Sequence, residues 1–163
     1  MITALDVHYN DNGSATAGAV VFSDFTDSKC CKTYVTCIAR AEQYIPGQFY
    51  KRELPCLLAI LAKIEENIET IVIDGYVDLD ENPGLGRHLW KALDCKKTII
   101  GMAKKYFRGS NAIKVFRGKS RQPLFVTAAG IEQTVAAGLI AKMHGKYRIP
   151  GLIKQADQLS RRR

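Results

Sequence analysis

The chain has 163 residues, 47% apolar and 25% charged, the length and composition of one globular domain spanning 1–163 with no low-complexity run and no internal repeat. Lys and Arg number 24 against 16 acids, and the formal charge of +8 favours an anionic partner such as nucleic acid, although a solubilising tail at Arg161-Arg162-Arg163 contributes to it. No apolar run nears the ~20 residues of a membrane span, the strand-like opening "MITALDVHY" predicts no secretory leader, and Cys30, Cys31, Cys37, Cys56 and Cys95 form no C-x-x-C pair, so a reducing cytoplasm is expected rather than a disulfide framework or a thiolate zinc site; a monomer is the expected oligomeric state.

Residues 2–9 alternate as a strand does. "ATAGAVVFSDF" (15–25) and "KTYVTCIAR" (32–40) read as two more strands, with "NDNGS" and "TDSK" as the turns between them. Three strands joined by short turns predict an antiparallel meander. A loop, "AEQYIPGQFY", then leads to a helix expected from about Arg52 to Asn67, with Pro55 in its first turn. Ile71, Val72 and Ile73 form the continuous β-branched run of a strand buried on both faces, as in the middle of a parallel sheet. Further elements are expected as a helix at 84–93, strands at 97–103, 113–117 and 123–128, and helices at 131–143 and 150–161. The fold class is therefore α/β, a mixed sheet of antiparallel and parallel strands flanked by helices.

One helical turn before Leu57 stands Glu53, so its carboxylate leans toward the packed side of the helix. An acid in a first turn can be wholly structural, held by the helix macrodipole. Alternatively, something cationic waits for it. Asp74 ends the buried strand, at the end where open α/β sheets place ligands. Asp6 alternates with Leu5 and Val7 and points to the opposite face from them. If the first and fourth strands are neighbours, Asp6, Glu53 and Asp74 converge. Three unpaired anions in a half-buried site are costly without a cation, and hard oxygen ligands select Mg²⁺ or Mn²⁺, which serve phosphodiester hydrolysis. The plain alternative is that isolated acids cap helices and turns, as Asp74-Gly75 would do at a strand end.

"DVHY" (6–9), "YIPGQFYKRELP" (44–55), "IVIDG" (71–75), "TIIGMAKKYF" (98–107) and "GKYRIPGLIKQADQLSR" (145–161) resemble, in order, the blocks of the endonuclease V family. The resemblance implies a ribonuclease-H-like fold and a Mg²⁺-dependent endonuclease, with Mn²⁺ able to substitute. Its partner would be DNA or RNA containing inosine or another deaminated base, cut 3′ to the lesion. It implies that Asp6, Glu53 and Asp74 bind the metal and carry catalysis, and that Lys104 faces a phosphate oxygen or the leaving group. Tyr44, Ile45 and Pro46, followed by Gly47, would form a wedge entering the duplex beside an unstacked base. Gly84, Leu85, Gly86 and His88 match a block that lines the base pocket. Read without the family, Tyr44 would pack on the core and His88 would be an ordinary helix residue.

The chain also departs from the family. Where the family has H-G-x-x-H-P-R after the Asp-Gly, this chain has "YVDLDENP" (76–83), with Asp80 in place of the second histidine. The late S-P-G-H-R becomes "TAAGIE" (127–132), leaving Glu132 as the nearby residue that would compensate at the metal site. Two readings follow: an active metal-dependent nuclease, or a catalytically weak relative that works as a nucleic-acid-binding module. A protein-interaction scaffold with a vestigial site is the third class.

Overall fold

Strands β1 (Ile2–Tyr9), β2 (Ala15–Phe22) and β3 (Lys32–Ile38) pair with their chain neighbours in the expected antiparallel meander. The computed structural model describes residues 1–162, so the last residue of the arginine tail lies outside the described residues. After a loop, helix α1 runs Phe49–Leu61. It begins earlier than the expected start near Arg52, so Pro55 is interior rather than in the first turn. The proline removes the N–H that would reach the Lys51 carbonyl. Both residues are exposed, so that carbonyl can turn to water instead. The helix also stops well short of Asn67. Lys63 and Ile64 donate to the carbonyls of Ile60 and Leu61 in tighter turns, and the Tyr34 hydroxyl of β3 accepts from the Glu65 N–H at 3.4 Å and donates to the Glu66 carboxylate at 2.9 Å.

Strand β4 (Thr70–Ile73) lies between β1 and β7 (Thr98–Ala103) and is parallel to both. This is the central position that its unbroken β-branched run predicts. Between β4 and β7 stand a small hairpin, β5 (Asp78–Leu79) and β6 (Asn82–Pro83), and helix α2 (Leu85–Ala92). The hairpin was not legible in the sequence. Arg87 of α2 fixes it with two bonds to the Asp78 carboxylate, Nε to Oδ1 at 2.9 Å and Nη2 to Oδ2 at 2.6 Å. Strands β8 (Ile113–Val115) and β9 (Leu124–Ala129) complete a seven-stranded sheet in the order β3-β2-β1-β4-β7-β9-β8, with β9 antiparallel to β7.

Side chains alternate across this sheet and divide the core in two. Leu5, Ile71, Ile73 and Ile99 pack with Leu57 and Ile60 of α1 and Leu89 of α2. Ala4, Val72, Ile100 and Met102 pack on the other face with Ile140 of α3 (Gln133–Lys142) and with Leu152 and Leu159 of α4 (Gly151–Ser160). Each fully buried aliphatic side chain contributes about 1.5–3 kcal/mol to folding. The result is three layers, helices on both faces of a mixed sheet, as the composition of the elements predicts. No helix among the described residues is long and apolar enough to cross a membrane.

Candidate active site

The parallel register of β1 and β4 pairs Leu5 with Ile73, so the next residues, Asp6 and Asp74, stand level where β4 has just ended. By alternation both follow Ala4 and Val72 toward the α4 side of the sheet. Lys104, immediately after β7, continues the row of Ile100 and Met102 to the same side. Glu53 arrives from α1, on the opposite face, and is buried with Cys56, Leu57 and Ile60. Since α1 has no acid in its first turn, the macrodipole does not explain this burial. The open end of β4 is what lets carboxylates from the two faces sense one another.

They do so strongly. Burial, then the negative charges of Asp6 and Asp74, push the Glu53 carboxyl up to about 8, against the opposing effects of Tyr9 and Arg52. Burial also raises Asp6; the Ser160 hydroxyl opposes this, while the charges of Asp157 and Asp74 add to it. Every acid holds a neighbour. Ser160 Oγ donates to Asp6 Oδ2 at 2.5 Å, Lys104 Nζ donates to Asp74 Oδ2 at 2.5 Å, and Tyr9 OH donates to Glu53 Oε2 at 3.4 Å. The Arg52 guanidinium lies 3.7 Å above the Tyr9 ring. For Lys104, burial opposes ionisation, but its bond to Asp74 and the charges of Asp74 and Asp6 leave the ammonium raised above its ordinary value.

Among the described residues no three His, Cys, Asp or Glu are gathered into a ready-made metal site. The three acids thus share one electrostatic neighbourhood without forming the tight cluster expected from the sequence, because Asp6 and Glu53 approach from opposite faces. The donor set still fits a hard cation. Its oxygens are carboxylate oxygens, and an ammonium already occupies a cation's place beside Asp74. Lys104 and Ser160 each take one oxygen, Oδ2, of Asp74 and Asp6, so a divalent ion would either contest that oxygen or take Oδ1.

Asp74 borders two cavities. One, of about 230 Å³, is lined by Gly47, Tyr50, Gly75, Tyr76, Gly84 and Leu85 among others. Behind Tyr50 stands His88, with rings stacked 3.6 Å apart at 10°. Burial, then the charge of Lys91, lowers the His88 imidazole, so it is neutral at pH 7 and backs an aromatic wall. Gly86 lies outside this cavity. A Cβ there would meet Val77 Cγ2 at 2.7 Å, so its role is to let α2 approach the 75–77 segment. Tyr44 and Ile45 are 58% and 45% exposed, which excludes core packing; of the 44–47 segment only Gly47 lines this cavity, while Ile45 lines a separate one with Arg40, Glu42 and Lys51. The second cavity, about 770 Å³, opens on the α4 side and contains Asp6, Asp74 and Lys104.

Residues 1–127 match the family model described as Endonuclease V. The chain belongs to the endonuclease V family. It is 25% identical to an endonuclease V of Xylella fastidiosa (strain 9a5c), over all of this chain and 77% of that relative. A crystal structure of endonuclease V from Streptomyces avermitilis superposes with a TM-score of 0.78 at 25% identity, covering 98% of this chain and 79% of that one. Endonuclease V of Ciona intestinalis, solved with a 24mer DNA containing an inosine followed by a ribo-adenosine, superposes at 0.83 with 20% identity, covering 98% and 83%. The fold is the ribonuclease-H-like one of endonuclease V, a family of nucleases.

Measured against the endonuclease V blocks, the structure adds partners that the sequence did not single out. Ser160 and Asp157 come from the "ADQLSR" block, whose apolar spacing marks a helix but does not say which strand it covers. Tyr9 was legible as a strand residue within the "DVHY" block, with no partner assigned to it. Glu132 is exposed at the N-cap of α3, lines neither cavity, and is not among the groups that shift Asp6 or Glu53. The fourth carboxylate near the site is Asp157 instead. Asp80 sits at the hairpin tip with φ of 57°, beside Gly109, and borders neither cavity.

Proposed function

We propose that this protein is a Mg²⁺-dependent endonuclease, with Mn²⁺ as a substitute, that hydrolyses a phosphodiester 3′ to inosine or another deaminated base in DNA or RNA. The observation that carries the reading is the position of Asp74. One carboxylate borders both a small aromatic-walled cavity and a wide basic one, and it is coupled by charge to Asp6 and Glu53. Membership of a nuclease family supports the reaction class. The inosine-containing DNA bound by the Ciona intestinalis protein supports the substrate class.

In this reading the unstacked base enters the small cavity between Tyr50 and the backbone of Gly84 and Leu85, with Tyr44, Ile45 and Pro46 filling the gap it leaves. Asp6, Glu53 and Asp74 would hold the ion, which supplies charge neutralisation at the phosphodiester and activation of water. Lys104, on leaving Asp74, offers its ammonium to a phosphate oxygen or to the departing oxygen.

The pairings of Lys104 with Asp74 and of Ser160 with Asp6 favour a second reading, a nucleic-acid-binding module whose acids are already satisfied. Nicking of matched inosine-DNA and inosine-RNA strands in Mg²⁺ and in Mn²⁺, with Asp74→Ala alongside, decides between them. The enzyme nicks at least one strand and the variant nicks neither. Intact strands in both metals, retarded on a gel, give the function to binding alone.

A further inference from the structure

The wide cavity on the α4 side is walled by Lys119, Lys146, Tyr147, Arg148 and Lys154. Among the described residues Lys119, Lys146 and Lys154 have no ion-pair partner. The acids facing them are Asp6, Asp74 and Asp157; Lys104 neutralises Asp74, and Arg161 Nη2 reaches Asp157 Oδ1 at 2.9 Å. Three basic side chains are therefore held around a cavity without counter-charges of their own. Tyr147 is 65% exposed; Lys146 Nζ lies over one face of its ring, 5.4 Å from the centroid, and the opposite face is available to a planar partner.

This wall is rigid for an identifiable reason. The buried Arg117 guanidinium donates to the carbonyls of Ala141, Met143, Gly145, Tyr147 and Arg148, and so ties the turn after α3 from within. Arg148 fastens the same turn to the sheet by donating to the carbonyls of Lys104 and Pro123, and its Nε is buried without a partner. Arg148 is thereby occupied as a clamp. Lys146 and Tyr147 are presented on a braced turn, with little ordering left to do on binding.

We infer that this cavity binds the strand downstream of the cut, with Lys119, Lys146 and Lys154 on its phosphates and Tyr147 stacked on a base. The inference rests on the function proposed above, and its direction follows from Asp74. A strand with its lesion in the small cavity and its scissile phosphate at Asp74 reaches the wide cavity next, and for a cut 3′ to the lesion that segment is the 3′ flank. Aromatic stacking flanked by lysines on phosphates suits a single strand of any sequence.

The test uses the whole protein in EDTA and four labelled DNA single strands. Two carry inosine with the same 5′ flank and either one or eight nucleotides on the 3′ side; two carry adenosine in its place. Fluorescence anisotropy gives each affinity. For the wild type, the eight-nucleotide flank tightens binding about tenfold or more, with inosine or without. Tyr147→Ala, and separately Lys146→Ala with Lys154→Ala, lose that increment and keep the affinity for the one-nucleotide strands. The double lysine variant also lowers the salt slope on the long strands by roughly 0.7 per lysine. An increment that survives both variants, or equal weakening on short and long strands, overturns the inference. No preference for inosine in either pair counts against the proposed lesion specificity and leaves the flank comparison intact. Unchanged melting midpoints exclude misfolding as the cause.

Discussion

Lys104 places its ammonium nitrogen 2.5 Å from Asp74 Oδ2, so a side chain of the protein occupies the position that a metal ion would contest. In the proposed function the two cations would compete for one carboxylate while the substrate needs both. Lys104→Met therefore separates two properties. It strengthens Mn²⁺ binding, seen as a larger rise in melting temperature on adding Mn²⁺. It also slows strand scission by about 10²–10³-fold, the cost of losing one group that stabilises developing charge. A variant with an unchanged or smaller Mn²⁺ response would show that lysine and metal do not share Asp74.

Glu53 gives the metal-free fold a pH response of its own. Its folded value, pushed up to about 8 by burial and then by the charges of Asp6 and Asp74, lies above the ordinary 4.5. The folded state therefore binds more protons than the unfolded state between those values, and stability falls as pH rises through that window. Glu53→Gln removes the share of the dependence that Glu53 supplies; the raised Asp6 keeps its own. In EDTA the variant should match the wild type near pH 4 and exceed it near pH 8 by on the order of 1–3 kcal/mol. Melting curves across this range check it; parallel profiles for the two proteins would count against the shift.

The Tyr50–His88 stack separates a wall from a catalyst. His88 stacks on Tyr50 and its imidazole is lowered by burial and then by Lys91, so under the proposed function it would support Tyr50. His88→Phe keeps the stack and should leave the rate and its pH profile within a few-fold of the wild type. His88→Ala loses about 0.5–1.5 kcal/mol of aromatic contact and should raise KM for inosine strands more than it lowers kcat. A folded His88→Phe protein without activity would make the imidazole part of the chemistry.

Gly101 is where β7 lets the segment after Asp74 pass close. A Cβ there would lie 2.6 Å from the Gly75 carbonyl oxygen and 2.8 Å from Val77 N, which itself donates to Thr127 Oγ1 at 2.8 Å. Gly101→Ala should lower stability by about 1–3 kcal/mol, as overpacking does. It should also reduce cleavage by more than the unfolded fraction explains, because the displaced segment carries Asp74. Measured together, denaturant midpoints and rates corrected for folded protein test this; a rate falling only in step with folded fraction would refute it.

Alternating and continuous apolar runs made the meander, the buried β4 and the three acids legible in the sequence, since those patterns state which way a side chain leans relative to its own element. Pairing between distant segments has no such local signature. Only the fold decided that Leu5 stands beside Ile73, setting Asp6 level with Asp74, and that Glu53 comes from the other face. The fold likewise brought α4 over β1, making Ser160 and Asp157 rather than Glu132 the neighbours of Asp6. The wall proposed at Tyr147 and the lysines around it was not legible either, because its placement depends on Arg117 binding carbonyls of a turn far along the chain. Side-chain direction is fixed by the short-range period of a strand or helix, whereas a site is fixed by register and packing between segments that sequence distance does not order.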